Sequence, residues 1–115
     1  MDETMNVGIE QEVIAELSVE LSKEPTFNPD VLAIKVRNAI REVKMKRNYV
    51  ATSYTDTQIE TDLYNYYSVI KSVALYDYNQ IGAEGEASHS ENGISRSYID
   101  RDDLFRSVHA FVKVL

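Results

Sequence analysis

Apolar side chains recur at helical spacing along most of this 115-residue chain, and this periodicity constrains the fold more than any other feature. Four segments show it, at about residues 7–23, 29–48, 56–81 and 101–114. Each carries an apolar stripe on one face, which must be buried against a neighbouring element. The pattern therefore predicts an all-α fold, a small bundle of about four helices in a single domain over residues 1–115.

Residues with strong positional preferences mark where these helices begin and end. Asn28 is a favourable N-cap, and Pro29 suits the first helical position, where its missing N–H is not needed. Thr55 and Gln58 have the spacing of a capping box. Pro25 ends the first segment, because the residue before a proline avoids the α region. The apolar stripe of the second segment consists of Leu32, Val36, Ala39, Ile40 and Val43.

A long polar stretch, residues 82–98, interrupts the helical pattern. It holds three of the four glycines of the chain, four serines and almost no apolar residues. Loops of this length in a compact domain are usually functional or disordered. We therefore expect a Gly/Ser-rich loop here, followed by Asp100 as the N-cap of the last helix.

The third segment is apolar over much of its circumference. Its main stripe runs from Ile59 to Ile81, and side chains such as Tyr64 and Val69 form lesser apolar strips on either side of it. Two explanations stay open. Either neighbouring subunits cover this surface, or the tyrosines cap the rim of a single core.

The net charge of −7 is unevenly distributed. Residues 1–24 hold seven acidic side chains and one basic one, whereas residues 35–47 hold six basic side chains and one acidic one. Helical spacing arranges some of them into an acidic ridge (Glu12, Glu16, Glu20) and a basic ridge (Arg37, Arg41, Lys44). These ridges either meet, within one chain or between adjacent copies, or remain two separate solvated faces. An acidic protein is unsuited to tight DNA binding.

No group of residues makes a convincing reaction centre. The chain has no cysteine, which excludes disulfides, thiol nucleophiles and Cys-based zinc sites. Ser88, His89, Ser90 and Glu91 adjoin in the polar loop, but contiguous loop residues cannot hold a nucleophile, base and orienting group in line. We expect no enzymatic activity, no cofactor and no metal.

One acidic residue requires a specific partner or access to water. Asp77 falls within the apolar stripe of the third segment, where an unpaired carboxylate would be costly. Three arrangements stay open: Asp77 pairs with a base such as Arg96, accepts hydrogen bonds from the following loop, or lies where the stripe is wet.

The chain lacks the marks of membrane insertion or export. No apolar run approaches the roughly 18 residues that span a bilayer. The first residues are acidic, whereas a signal peptide begins with positive charge. We therefore expect the protein to stay in the cytosol in which it is made.

The stretch 76–98, YDYNQIGAEGEASHSENGISRSY, resembles the head-tail connector (adaptor) proteins of tailed bacteriophages with long non-contractile tails. The shared features are a tyrosine-rich helix end, Gly-x-Glu-Gly at 82–85, Ser-His-Ser-Glu at 88–91 and Gly-Ile-Ser-Arg-Ser-Tyr at 93–98. The similarity extends more loosely from about residue 7 to the C-terminus. The acidic N-terminal segment departs from the family pattern.

The resemblance implies a structural virion protein at the head-tail interface, made in the bacterial host cytoplasm. It implies a homo-oligomeric ring, a dodecamer matched to the portal, that extends the DNA channel without binding DNA specifically and receives the stopper or head-completion protein. It also implies partner-binding roles in the polar loop and the C-terminal segment, for Gly82, Glu84, Gly85, Ser90, Gly93, Ile94, Ser95, Arg96, Ser97, Tyr98, Phe105 and Phe111. The alternative hypothesis is a cytosolic helical regulator that binds a protein or nucleic acid through its basic helix.

Overall fold

The computed structural model describes residues 8–80 and 100–112, and every regular element in these ranges is helical. The α-helices are α1 (Ile9–Leu21), α2 (Pro29–Arg47), α3 (Asp56–Tyr64) and α4 (Tyr67–Gln80), and two 3₁₀ helices cover Tyr49–Ala51 and Arg101–Phe105. The all-α prediction is confirmed. The expected loop at 82–98 lies outside the described residues. None of the described helices combines the length and apolar character needed to cross a lipid bilayer.

The predicted helix starts of α2 and α3 are both present. The side-chain oxygen of Asn28 accepts from the backbone N–H groups of Asp30 and Val31, at 3.0 and 3.2 Å. Thr55 and Gln58 form the complete capping box, each side chain accepting the backbone N–H of the other residue. These bonds satisfy N–H groups that a helix end would otherwise leave without partners.

Helix α2 lies at the centre of the bundle, packed against α1, α3 and α4. All five residues of its predicted stripe are buried, facing apolar side chains of the other helices. Fully burying one such side chain stabilises the fold by about 1.5–3 kcal/mol. The rest of the core consists of Ile9, Val13, Leu17, Leu21, Leu63, Ile70, Val73, Ala74 and Phe105.

The prediction of one continuous helix over 56–81 is wrong, because a two-residue turn separates α3 from α4. At this turn the N–H of Asn65 bonds to the carbonyl of Asp62 at 3.0 Å, and the N–H of Tyr66 bonds to that of Leu63 at 2.8 Å. Such three-residue spacing tightens the end of a helix. Asparagine and tyrosine are weak helix formers, so tertiary packing decides the conformation here.

The prediction of a helix over 101–114 is also wrong within the described residues. Asp100 does cap a helical turn, accepting the N–H of Asp102, but the turn is a 3₁₀ helix that ends at Phe105. Residues 108–112 are not helical. Their backbone bonds instead to the end of α2, as the N–H of Phe111 donates to the carbonyl of Arg47 at 2.8 Å. The apolar side chains of this segment suit a helix as well, so the contact with α2 accounts for the irregular conformation.

Candidate functional site

Arg47, the last residue of α2, anchors the C-terminal segment, residues 108–112. Its side chain is 9% exposed and makes a two-pronged ion pair with Asp62 of α3, with N–O distances of 2.8 and 3.0 Å. Its remaining terminal nitrogen donates to the backbone carbonyl of His109 at 2.6 Å. One buried guanidinium therefore connects α2, α3 and the C-terminal segment.

Aromatic rings and hydroxyls complete the surroundings of Arg47. The guanidinium lies 5.0 Å from the ring centre of Tyr66 and 4.0 Å from that of Phe111. The hydroxyl of Tyr49 donates to Asp62 at 2.5 Å. Attraction between a cation and an aromatic ring grows when water is excluded, so this packing strengthens the anchor.

The ionisation of this cluster follows from its burial and its bonds. Burial opposes the charged form of Asp62, but the hydrogen bonds from Arg47 and Tyr49 outweigh burial and hold the pKa of the Asp62 carboxyl below its ordinary value. The hydrogen bond with Asp62 raises the pKa of Arg47. Burial, followed by the bond to Asp62, raises the pKa of the Tyr49 hydroxyl. The ion pair is therefore fully formed at neutral pH.

A second backbone contact fixes the direction of the C-terminal segment. Asn48 has a left-handed backbone conformation, with φ 59°, and its side-chain nitrogen donates to the carbonyl of Phe111 at 3.1 Å. Asparagine tolerates this conformation better than most residues. The ring of Phe111 packs against Tyr49 and Tyr54. The predicted partner-binding residue Phe111 thus orders its own chain.

Arg101 holds the start of the C-terminal region on the helical body. It bonds to both oxygens of Asp77 in α4, at 2.7 and 2.8 Å, and to both oxygens of Glu42 in α2, at 2.8 and 2.9 Å. The hydrogen bond from Arg101 lowers the pKa of Glu42. Asp77 therefore has the basic partner that its position requires. That partner is Arg101, whereas the suggested Arg96 lies outside the described residues.

The structure places the other predicted partner-binding residues in two groups. Phe105 is 5% exposed, with its ring in the core, so it supports the fold and presents no free surface. The loop residues Gly82, Glu84, Gly85, Ser90, Gly93, Ile94, Ser95, Arg96, Ser97 and Tyr98 lie outside the described ranges.

The acidic ridge faces α4. Glu16 and Glu20 share Lys71, with N–O distances of 3.2 and 2.7 Å, and Glu12 accepts from the hydroxyl of Tyr64 at 2.8 Å. Burial, followed by this bond to Glu12, raises the pKa of Tyr64 to about 12. Two carboxylates of the ridge thus share one ammonium group.

The basic ridge occupies the outward face of α2. Arg37 pairs with Glu10 at 3.4 Å, and Arg41 lies 3.5 Å from the side-chain oxygen of Asn38. Within the described residues, 8–80 and 100–112, no ion pair joins the acidic ridge to the basic ridge. The first of the expected arrangements, contact within one chain, is therefore absent from this part of the protein.

An open apolar groove of about 490 Å³ lies beside the basic ridge, between the end of α2, the first 3₁₀ helix and the start of α3. Met45 is 76% exposed and Val50 is 88% exposed. No periodic pattern in the sequence indicates this groove, because three separate elements form it. Its main lining residues are Arg41, Lys44, Met45, Tyr49, Val50 and Ile59.

The described residues contain no cluster of three or more His, Asp or Glu side chains that could hold a metal ion. These residues form two arginine clusters that order the C-terminal region, two charged ridges and an apolar groove. Such features suit a protein that binds other proteins.

A model of the phage gp6-like head-tail connector protein family matches residues 12–110. Comparison with curated proteins and with solved structures gives no significant match. The match covers α1 from its fourth residue, all of α2 to α4, the groove, and both arginine clusters except Phe111. The resemblance found in the loop motifs is therefore confirmed over most of the chain, which belongs to the phage gp6-like head-tail connector family and is a structural component of the phage neck.

Proposed function

We propose that this connector protein acts by binding alone, as a ring on the portal vertex of a filled phage head. The family match over residues 12–110 carries the proposal. The ring, a dodecamer matched to the portal, extends the DNA channel and presents a surface to the stopper or head-completion protein. DNA passes through without specific binding, in keeping with the net charge of −7.

The geometry of the helical body supports docking through the segment at 82–98. This segment follows α4, which ends at Gln80, and it precedes Arg101. Arg101 forms an ion pair with Asp77, which lies about one turn before the end of α4. The chain consequently leaves the bundle and returns to it at the same edge. We propose that the intervening residues contact the portal and adjacent subunits.

Attachment to tailless heads tests this function directly. Purified protein is mixed with tailless heads, or with purified portal, and the bound fraction is measured after sedimentation. We expect wild-type protein to attach, and Arg96→Glu and Tyr98→Ala to attach less because they alter the proposed docking loop. Arg106→Glu is the matched control, since Arg106 is largely exposed and its ion pair is with Asp103 in the same turn.

Two results would contradict separate parts of the proposal. If wild-type protein binds neither heads nor portal, the adaptor role is wrong. If both loop variants attach as well as wild type, the adaptor role stands and the loop is excluded as its docking element.

A second candidate function rests on the basic ridge. Arg41 and Lys44 are exposed, and within the described ranges neither has a carboxylate at ion-pair distance. A cytosolic regulator would use this ridge to bind nucleic acid. Salt-dependent DNA binding by the free protein, lost on changing Arg37, Arg41 and Lys44 to Glu, would favour this function. The adaptor proposal expects no such binding.

A further inference from the structure

The groove beside α2 combines exposed apolar side chains with positive charge. Its lining includes the highly exposed Met45 and Val50 together with Ile59, and the basic residues Arg41 and Lys44 also line it. Soluble proteins seldom leave contiguous apolar surface uncovered, and such surface usually marks an interaction site. The occupant of this groove should therefore be apolar at its centre and acidic at its edge.

The outward side of α1 has this composition. Val19 is 75% exposed and lies beside the acidic ridge. Glu16 and Glu20 share one ammonium group, that of Lys71, and Glu12 has a neutral hydroxyl partner, so the ridge keeps two net negative charges. Arg41 and Lys44 supply two positive charges at the groove. The two surfaces are thus opposite in charge, and Val19 gives the α1 surface an exposed apolar side chain.

The spacing of the charges also agrees. A helix rises about 1.5 Å per residue, so consecutive carboxylates of the acidic ridge are about 6 Å apart along α1. Arg37, Arg41 and Lys44 follow at about 6 and 4.5 Å along α2. Two helices laid side by side can therefore bring several opposite charges together at once.

We propose that the groove of one copy of this chain receives the α1 surface of a second copy, with Val19 over Met45 and Val50 and the acidic ridge against Arg41 and Lys44. The two surfaces share no residue, and the acidic ridge is turned toward α4 of its own chain. The contact is therefore head-to-tail. Such contacts build a ring when the rotation between copies closes. This inference rests on the proposed ring and identifies its seam, the contact between adjacent subunits.

Cross-linking tests the seam in a chain that has no cysteine of its own. Val19→Cys and Val50→Cys are made as separate proteins, mixed at high concentration in low salt, and treated with a short bismaleimide linker. Both positions are highly exposed, so neither change should disturb the fold. We expect linked pairs containing one copy of each variant. Ser107→Cys, at another exposed position, replaces Val19→Cys in the control mixture and should give few pairs.

Charge accounts for part of the contact, so the yield should respond to salt and to charge reversal. Raising the salt from about 0.05 M to about 0.5 M should lower the yield, because exposed charges are screened over a shorter distance. Adding Arg41→Glu and Lys44→Glu to the Val50→Cys protein should weaken association about tenfold, which corresponds to about 1.4 kcal/mol.

The outcomes distinguish the proposed contact between two copies from other uses of the groove. A Val19–Val50 yield no higher than the Ser107 control overturns the proposal, as does preferential pairing of Val50→Cys with itself. When heads are added, cross-links that join position 50 to another virion protein and not to position 19 would assign the groove to that protein, and would also overturn the proposal. None of these results affects the attachment assay, so the adaptor function is judged separately.

Discussion

Arg47 and Lys71 each pair with acidic side chains of another helix, but their surroundings differ. Arg47 is almost fully buried, uses its nitrogens on Asp62 and a backbone carbonyl, and is packed near two rings. Lys71 binds Glu16 and Glu20 at the surface, where about half of each carboxylate side chain is exposed. Similar charge pairing therefore has two roles. The buried cluster orders a segment of chain, whereas the exposed one leaves charge available to a partner.

The comparison predicts a large effect from removing the buried cation. Arg47→Ala should destabilise the fold by about 3–5 kcal/mol, because it leaves Asp62 buried without its counter-charge. Urea unfolding measures the change. Arg47→Lys should recover part of the loss, since lysine retains the charge but cannot form the two-pronged pair.

A stability of Arg47→Ala within about 1 kcal/mol of wild type would contradict this account of the anchor. Hydrogen exchange at the Phe111 amide provides a second readout. That amide bonds to the carbonyl of Arg47, and its protection should fall when the C-terminal segment loses its anchor.

Acid should weaken the Arg47 and Arg101 clusters by a smaller amount. The pKa values of Asp62 and Glu42 lie below their ordinary values, so the unfolded chain binds more protons than the folded one in acid. The stability that these two carboxylates contribute is fully present above about pH 4, near their unfolded pKa values. It is lost as the pH falls through their lower pKa values in the folded protein. Urea unfolding at neutral and acid pH measures this loss.

Asp62→Asn isolates the Arg47 cluster in the same experiment. The variant should be less stable than wild type at neutral pH and should show a shallower loss in acid, because residue 62 no longer titrates. An unchanged dependence on pH would show that the Asp62 carboxylate contributes nothing to acid sensitivity.

The smallest effect should come from the exposed cluster. Lys71→Ala should cost less than about 1 kcal/mol, because exposed ion pairs contribute little and are screened by salt. The loss should shrink further in high salt, in contrast to that of Arg47→Ala. An equally large, salt-independent loss from both changes would remove the distinction between the two clusters.

Much of the helical body was predictable from local signals. The capping box of Thr55 and Gln58 and the cap at Asn28 involve neighbouring residues, so their geometry depends little on distant packing. A signal for Arg47 was also present, since it lies four residues after Val43 on the buried stripe of α2. Arg47 also belongs by sequence to the basic stretch 35–47, although its side chain lies on the core face.

The remaining features depended on contacts between distant residues. Arg101 joins positions 24 and 59 residues away, and no local pattern distinguishes it from other arginines. The break in the third predicted helix also depends on a distant residue, because Asp62 and Tyr66 contact Arg47 there. The groove likewise appears only when three elements come together.

The amino-acid sequence by itself determined the all-α class, the core face of α2, the starts of α2 and α3 and the family resemblance, because these depend on neighbouring residues and periodicity. Tertiary structure alone decided where α3 ends, why residues 108–112 are not helical and which charges pair. Those outcomes depend on buried polar groups finding partners, and the partners are far away in the chain.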